Sequence, residues 1–180
     1  MRWSIDFPIS PLPDPISHAA KVLCMGSCFA QTIGTKMKTA KFDVLVNPFG
    51  TIFHPLNLTF LLDAVIFQDA LDPEGIVERE GMYSHFSFHS DLVAESREEL
   101  TELYQRQIQS TYAQLQSASH LILTLGTAWI YQHETFGRVA NCHKQPQRIF
   151  EKKLSGLDEM KNSFKHALHN LSQVFPKLKI

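Results

Sequence analysis

The sequence has little cysteine, no export signal and no apolar stretch long enough to cross a membrane. Three cysteines occur among 180 residues, and an odd number without an export signal indicates reduced thiols rather than a disulfide framework. The N-terminal segment MRWSIDFPISPLPDP lacks the apolar core that follows the basic start of a signal peptide. These absences predict a cytoplasmic protein without a membrane span.

The sequence also lacks clusters of charge of one sign. Its 17 basic and 18 acidic residues are mixed along the chain, and the formal net charge is −1. Nucleic-acid surfaces and polybasic membrane patches both need clustered basic residues, so we expect neither nucleic acid nor a membrane as a partner. The apolar fraction of 44% is typical of a globular protein, and the length predicts a single domain over residues 1–180.

Apolar strands alternate with amphipathic helices after an extended, proline-rich arm at residues 1–20. Strands are predicted at 22–25, 42–46 and 121–125, and helices at 28–40, at 55–67, after the Ser96–Glu99 capping box and after a second capping box at Ser155–Asp158. Residues 75–92 are expected to form a hairpin or an irregular insertion, and residues 133–153 a loop. The alternation predicts an α/β fold with a parallel, doubly wound, three-layer α/β/α sheet.

The segment VLCMGSCFA at residues 22–30 carries the clearest chemistry. A buried strand runs into Gly26-Ser27-Cys28 and then into a helix, whose first N–H groups lack intrahelical acceptors and favour negative charge. A thiol or hydroxyl in this turn is well placed to attack a carbonyl, and the same N–H groups can hold the resulting oxyanion. The alternative is a structural turn in which Ser27 only caps the helix.

These residues resemble the GSCFA family of bacterial proteins, which is usually grouped with the SGNH/GDSL hydrolases. The resemblance rests on GSCFA at 26–30, NPFG at 47–50, LGT at 125–127 and NCH at 141–143, so it covers nearly the whole chain. It implies an SGNH-type α/β fold and acyl chemistry without a cofactor. In a register without gaps, Cys28 occupies the position of the catalytic serine of those hydrolases. A shift of one residue makes Ser27 the nucleophile, and we favour Cys28.

The resemblance also implies where the oxyanion would be held. Gly50 matches the glycine that offers a backbone N–H after the second strand, where the absence of a Cβ permits close approach. The segment 125–128, with Gly126 and Thr127, stands in the place of a Gly-x-Asn-Asp block, but its fourth residue is Ala128 where an asparagine would donate. Thr127, Asn47 or Asn141 would have to replace that donor.

The base is the part of the hydrolase pattern that the sequence lacks. The family's similarity to SGNH hydrolases implies a later Asp-x-x-His block, which does not occur in this sequence. Residues 178–180 have the pattern of a strand cut short, so we expect an N-terminal portion of the domain with an exposed sheet edge. His143 could serve as a base if it reached Cys28. Otherwise His89 and the 141–143 loop would shape the pocket mouth or satisfy buried backbone groups.

Metal binding is the weaker interpretation of the histidines. His85, His89, Cys142 and His143 include ligand types suitable for zinc, but their spacing matches no closed structural site, so no metal is predicted.

Two function classes follow from these patterns. The first is an esterase or acyltransferase acting on a small-molecule or glycan ester through a covalent acyl intermediate. The second is a non-catalytic ligand-binding or partner-binding protein on the same fold. Cysteine in place of serine, Ala128 in place of asparagine and the missing base favour the second class.

Overall fold

The computed structural model describes residues 8, 10 and 15–180. Most of the arm predicted at residues 1–20 therefore lies outside the described residues. The strands are β1 (Lys21–Gly26), β2 (Asp43–Val46), β3 (Ile76–Arg79), β4 (Met82–His85), β5 (His120–Thr124), β6 (Trp129–His133), β7 (Gly137–Val139) and β8 (Phe150–Leu154). The helices are α1 (Cys28–Thr39), α2 (Pro55–Phe67), α3 (Arg97–Ser117) and α4 (Leu157–Val174).

A parallel sheet in the order β2-β1-β5 forms the centre of the fold. Leu23 of β1 lies opposite Leu45 of β2 and Leu121 of β5. The Leu121 N–H donates to the Lys179 carbonyl at 2.8 Å, within a parallel bridge between His120 and Lys179. Parallel strands joined through helices confirm the α/β class.

Side chains of β1 alternate between two apolar clusters, one on each face of the sheet. Leu23 and Met25 pack with α2 and α3, whereas Val22 and Cys24 pack with Ala30 of α1. All four β1 side chains are at most 2% exposed. Burial of each such side chain contributes about 2 kcal/mol to the stability of the fold. Because helices cover both of its faces, β1 lies at the centre of the fold.

Helix α2 is buried on nearly every side. Pro55 occupies its first turn, as the sequence predicts, where a missing N–H costs no helical hydrogen bond. Its outer side packs on α4 through hydrogen bonds from Asn170 to Asp63, at 2.9 Å, and between Thr59 and Ser163, at 2.6 Å. Although α2 is strongly apolar, neither it nor any other helix in the described part has both the length and the hydropathy of a membrane span.

Two local predictions are confirmed. Strands β3 and β4 form an antiparallel hairpin within residues 75–92, and its two-residue turn has positive φ at Glu80 and Gly81, as a type I′ turn requires. Ser96 caps α3, since its hydroxyl accepts the Glu99 N–H at 3.1 Å. Both features follow from short-range sequence chemistry.

Two other local predictions are wrong. Residues 133–153 are not simply a loop, because β7, β8 and the end of β6 form a three-stranded antiparallel sheet there. Most of β8 is exposed and polar, so it lacks the apolar run that marks a buried strand. Ser155 does not cap α4: Gly156 is the N-cap residue, without a side-chain bond, and the Ser155 hydroxyl lies 3.0 Å from His54 Nε2.

Candidate functional site

The turn between β1 and α1 is fixed against the end of β5. Gly26 has φ +131°, and a Cβ at this residue would lie 2.0 Å from the Thr124 carbonyl oxygen. The Ser27 N–H donates to that same carbonyl at 3.1 Å and to Thr124 Oγ1 at 3.0 Å. Only a residue without Cβ fits this close approach, so Gly26 determines where the next two side chains lie.

Ser27 and Cys28 occupy different environments in this turn. Ser27 is 5% exposed, and its hydroxyl accepts the Phe29 N–H at 3.3 Å and lies 2.9 Å from Thr124 Oγ1. It therefore acts as the N-cap residue of α1. Cys28 is the first helical residue and is exposed. Its N–H, like others in a first helical turn, has no intrahelical acceptor. Of the two side chains, the Cys28 thiol is therefore the one accessible to solvent.

Asn47 connects the ends of β1 and β2. It adopts a left-handed conformation with φ 41°, which asparagine tolerates better than most residues. Its Oδ1 accepts the Gly26 N–H at 2.9 Å, and its Nδ2 donates to Gln31 at 3.0 Å. The Asn47 side chain therefore holds the turn at residues 26–28, which contains the candidate nucleophiles and is called the nucleophile turn below, against the end of β2. Gln31, on α1, is a supporting residue that the sequence patterns did not identify.

Gly50 closes the turn that begins at Asn47. Its N–H donates to the Asn47 carbonyl at 2.8 Å, so a substrate oxygen would have to share this hydrogen. Gly50 has φ +71°, and a Cβ there would lie 2.3 Å from the Cβ of His89. The His89 N–H donates to the Phe49 carbonyl at 3.0 Å. The structure thus brings His89 directly against Gly50 of the Asn-Pro-Phe-Gly segment.

His89 is paired with a carboxylate that sequence reasoning missed. Its Nδ1 lies 3.1 Å from Asp91 Oδ1 and is also placed to accept the Asp91 backbone N–H, at 3.3 Å. Nδ1 makes one of these bonds at a time: when it donates to Oδ1, Nε2 has the lone pair, and when it accepts the N–H, Nε2 carries the hydrogen of the neutral ring. The signal for this pair was present as His-Ser-Asp at residues 89–91, two residues apart in a turn.

The Leu-Gly-Thr segment at residues 125–127 supports the loop before α2. The N–H groups of Gly126 and Thr127 both donate to the Phe53 carbonyl, at 2.8 and 3.3 Å. Thr127 Oγ1 accepts the Trp129 N–H at 3.0 Å, so its hydroxyl oxygen is engaged locally. A Cβ at Gly126 would lie 2.7 Å from the Phe53 ring. These groups therefore position Phe53 near the carboxyl end of β5.

Exposed apolar side chains border this edge of the sheet. Phe29 follows Cys28, Leu125 follows β5, and Phe53 lies against Gly126. These three side chains are between 41% and 61% exposed. We call Phe29, Phe53 and Leu125 the apolar rim. Exposed apolar side chains grouped in this way are typical of a surface that binds a ligand or a partner.

Asn141 and His143 lie in a separate cavity beside the β3–β4 hairpin, with a volume of about 510 Å³. Asn141 Oδ1 accepts the His143 N–H at 2.9 Å, and His143 Nε2 lies 2.7 Å from the His85 carbonyl oxygen. His143 is 6% exposed, and burial lowers its pKa. Its ring is thus hydrogen-bonded to the hairpin backbone at His85.

His85 is also satisfied by backbone groups. Its Nε2 lies 2.9 Å from the Asp72 carbonyl, and its Nδ1 accepts the Ser87 N–H at 3.0 Å. Burial lowers the pKa of His85 to about 4, so the ring is neutral at physiological pH. His89 lies beyond the end of β4, so His85 and His89 do not lie on one face of the same strand. Across the described residues, no group of three or more His, Cys, Asp or Glu side chains could hold a metal ion.

The pair formed by Ser155 and His54 has the residue types of a hydrolytic dyad but the wrong proton placement. His54 Nδ1 accepts the Leu56 N–H at 3.1 Å, so the hydrogen of the neutral ring is on Nε2. Nε2 lies 3.0 Å from the Ser155 hydroxyl and 3.2 Å from the Ala128 carbonyl. Burial lowers the pKa of His54. A ring that donates through Nε2 cannot remove the serine proton, so His54 is a helix cap.

Cysteine alkylation should distinguish the three thiols. We expect iodoacetamide to modify Cys28 first, because it is exposed. Burial raises the pKa of Cys142 and raises that of Cys24 to about 11, so both are thiols at neutral pH and react slowly. Peptide mass spectrometry over a time course measures each rate. Equal rates at Cys28 and Cys24 would contradict the exposed position of Cys28.

These features define an α/β protein that presents a thiol at a helix N-terminus, at the carboxyl edge of a parallel sheet. The GSCFA family model matches residues 21–180. The chain therefore belongs to the GSCFA family. A search of curated proteins found no match, and neither did a search of solved structures.

Proposed function

We propose that the protein is an SGNH-like hydrolase or acyltransferase that cleaves an ester through Cys28. The observation that carries this proposal is the division of roles in the turn. The Ser27 hydroxyl is used as the helix cap, whereas the Cys28 thiol is exposed at the first helical position. Membership of the GSCFA family supports a relation to the SGNH hydrolases, and with it a doubly wound arrangement of the SGNH type.

In the proposed reaction, the Cys28 sulfur attacks the ester carbonyl carbon and forms a C–S bond. The carbonyl electron pair moves to oxygen, where the free N–H of Cys28 donates to the developing oxyanion. Collapse of this intermediate breaks the C–O bond, and the leaving alkoxide takes a proton. Water, or an acceptor hydroxyl in an acyltransferase, then attacks the thioester and regenerates the thiol.

We assign the proton transfers to His89. Its Cβ lies against Gly50, and Asp91 pairs with its Nδ1 at 3.1 Å. This role uses the tautomer in which Nδ1 donates to Asp91 Oδ1 instead of accepting the Asp91 N–H. The Asp91 carboxylate, for which His54 has no counterpart at its Nδ1 among the described residues, favours that tautomer and stabilises the imidazolium that forms when Nε2 accepts the thiol proton. His143 is a poorer candidate because its Nε2 is engaged with a backbone carbonyl in the hairpin.

The apolar rim is the proposed site for the acyl group of a small-molecule or glycan ester. Phe29, Phe53 and Leu125 border the nucleophile turn and are all exposed. No cofactor is needed for this chemistry, because thiol, base and oxyanion donor are all protein groups. We place the reaction in the cytoplasm, where the three free thiols would remain reduced.

A non-catalytic, ligand-binding role is the second candidate. The specific observation in its favour is that the N–H groups of Gly50 and Gly126 are already donated to protein carbonyls. Ala128 adds no side-chain donor. In this case an ester would bind at the apolar rim without being cleaved.

Replacing Gly50 with alanine should lower ester turnover by about two to three orders of magnitude, within the range for loss of a positioned general base. The new Cβ would lie 2.3 Å from the Cβ of His89, at φ +71°, so the base and the turn N–H would both be displaced. The assay is hydrolysis of short-chain p-nitrophenyl esters by folded protein, checked by circular dichroism.

Gly137→Ala is the matched control, because Gly137 has φ +86° with no atom within 4 Å of the added Cβ. It carries a similar backbone penalty without contacting His89. Equal turnover in the two variants would reduce Gly50 to a turn residue. Ester binding without turnover in the wild-type protein would favour the non-catalytic role.

A further inference from the structure

A second cavity, of about 580 Å³, lies away from the nucleophile turn. It is bordered by α2, the 69–72 loop, the residues after β4, α3 and β7. Its lining includes none of the residues assigned above to acyl transfer. The volume is within the range of cavities that bind small molecules.

Several polar side-chain atoms in the lining of this cavity make no hydrogen bond to the residues that the structure describes, and they are open to the cavity rather than sealed in the core. Tyr104 is 3% exposed, and no hydrogen bond of its hydroxyl occurs there. The same holds for the hydroxyl of Ser87, which is 9% exposed. Asn57 donates through Nδ2 to the Val139 carbonyl at 3.0 Å, which leaves its Oδ1 as an acceptor. Because these atoms face the cavity and are not engaged by the protein, they can exchange hydrogen bonds with a polar ligand in place of water.

The cavity lining contains more acidic than basic side chains. Asp69 and Asp72 lie on the loop that follows α2, where both are exposed and Asp72 Oδ1 accepts the Glu74 N–H at 3.0 Å. Arg138 is the single cation in the lining. The cavity wall therefore carries an excess of one negative charge. Burial and the nearby Asp69 carboxylate raise the pKa of Tyr104 to about 12, so its hydroxyl keeps its proton and can donate. An anionic ligand would meet two carboxylates and is disfavoured.

Aromatic rings supply the apolar part of the wall. Phe60 and Phe136 both line the cavity, and Phe60 is 46% exposed. A ligand with one apolar face and several hydroxyls would pack on a ring while exchanging hydrogen bonds with Ser87, Tyr104 and Asn57. A purely apolar ligand would leave these polar atoms unsatisfied, which costs about 1–3 kcal/mol for each.

We propose that this cavity binds an amino sugar, a polyhydroxylated ring that carries a protonated amine. Its ammonium group pairs with Asp69 and Asp72, its hydroxyls exchange hydrogen bonds with Tyr104, Ser87, Asn57 and Arg138, and its apolar face packs on Phe60 or Phe136. This site is independent of ester cleavage at Cys28. Loss of one activity therefore leaves the other unaffected.

Titration of the isotope-labelled chain with glucosamine and with glucose, followed by two-dimensional NMR, tests the proposal. We expect glucosamine to bind about tenfold more tightly than glucose, because a charge-assisted hydrogen bond is stronger than a neutral one. The perturbed resonances should be those of residues lining this cavity. No binding, equal binding of the two sugars, or perturbation elsewhere on the surface would each overturn the proposal.

Two variants and one control identify the groups involved. Asp69→Asn should reduce the preference for glucosamine, because it removes one of the two carboxylates, and Tyr104→Phe should weaken both sugars by a similar factor. Asp43→Asn is the charge-matched control, since Asp43 is exposed on β2 and does not line the cavity. The proposal fails if Asp69→Asn and Asp43→Asn retain the same preference while both remain folded.

Discussion

Cys28→Ala should abolish ester hydrolysis, lowering turnover by at least about three orders of magnitude. The thiol is the exposed nucleophile at the start of α1, and a methyl group cannot form the acyl intermediate. Ser27→Ala removes the helix cap and should cost about 1 kcal/mol of stability. It should nevertheless keep turnover within about tenfold of wild type, because the thiol remains.

The two variants are compared in one p-nitrophenyl ester assay, with unfolding by urea as the measure of stability. The reverse pattern, with Ser27→Ala inactive and Cys28→Ala active, would make Ser27 the nucleophile. Equal activity of wild type and both variants would assign the hydrolysis to other groups and contradict the proposed function.

Gly26→Ala should have the largest effect on stability. The new Cβ would lie 2.0 Å from the Thr124 carbonyl oxygen, at φ +131°. Because that carbonyl belongs to β5, relief of the clash requires the end of β1 to move away from its neighbour. We expect a loss of about 3 kcal/mol or more in the free energy of unfolding.

Gly81→Ala provides the control for backbone strain alone. Gly81 has φ +78° and no atom within 4 Å of the added Cβ, so its substitution should cost only about 1 kcal/mol. Urea denaturation of both variants gives the comparison. If the two variants lose similar amounts of free energy of unfolding, the sheet beside Gly26 can adjust to the added Cβ. The close packing of the turn would then contribute little to stability.

The parallel sheet and its helices were predictable because their signals are local. The run at 121–125 is continuously apolar, Pro55 suits a first helical turn, and Ser96 with Glu99 marks a helix start. The sheet formed by β6, β7 and β8 was not predictable in this way. Its strands are short and largely exposed, and pairing between Trp129 and Leu154 joins residues far apart in sequence. Periodicity carries no information about such pairing.

In the candidate site, too, the local pattern was predictable and the tertiary contacts were not. The strand, glycine and helix pattern at 22–30 predicted that Cys28 would follow a tight turn, and the structure has that turn. The contacts that fix it were not visible in the sequence, since Gly26 bonds to Asn47 and Ser27 bonds to Thr124 through tertiary packing. The proximity of His89 to Gly50 likewise depends on how the loop after β4 returns to the sheet edge.

Identification of the acylated residue is the most direct test of the proposal that Cys28 is the nucleophile. Wild-type protein is mixed with p-nitrophenyl acetate, quenched in acid during turnover and mapped by peptide mass spectrometry, with Cys142 as the internal reference thiol. We predict an acetyl thioester on Cys28 that hydroxylamine removes and that Cys142 does not carry. Turnover with the acetyl group on Ser27, or with no acyl group at residues 26–30, would contradict it.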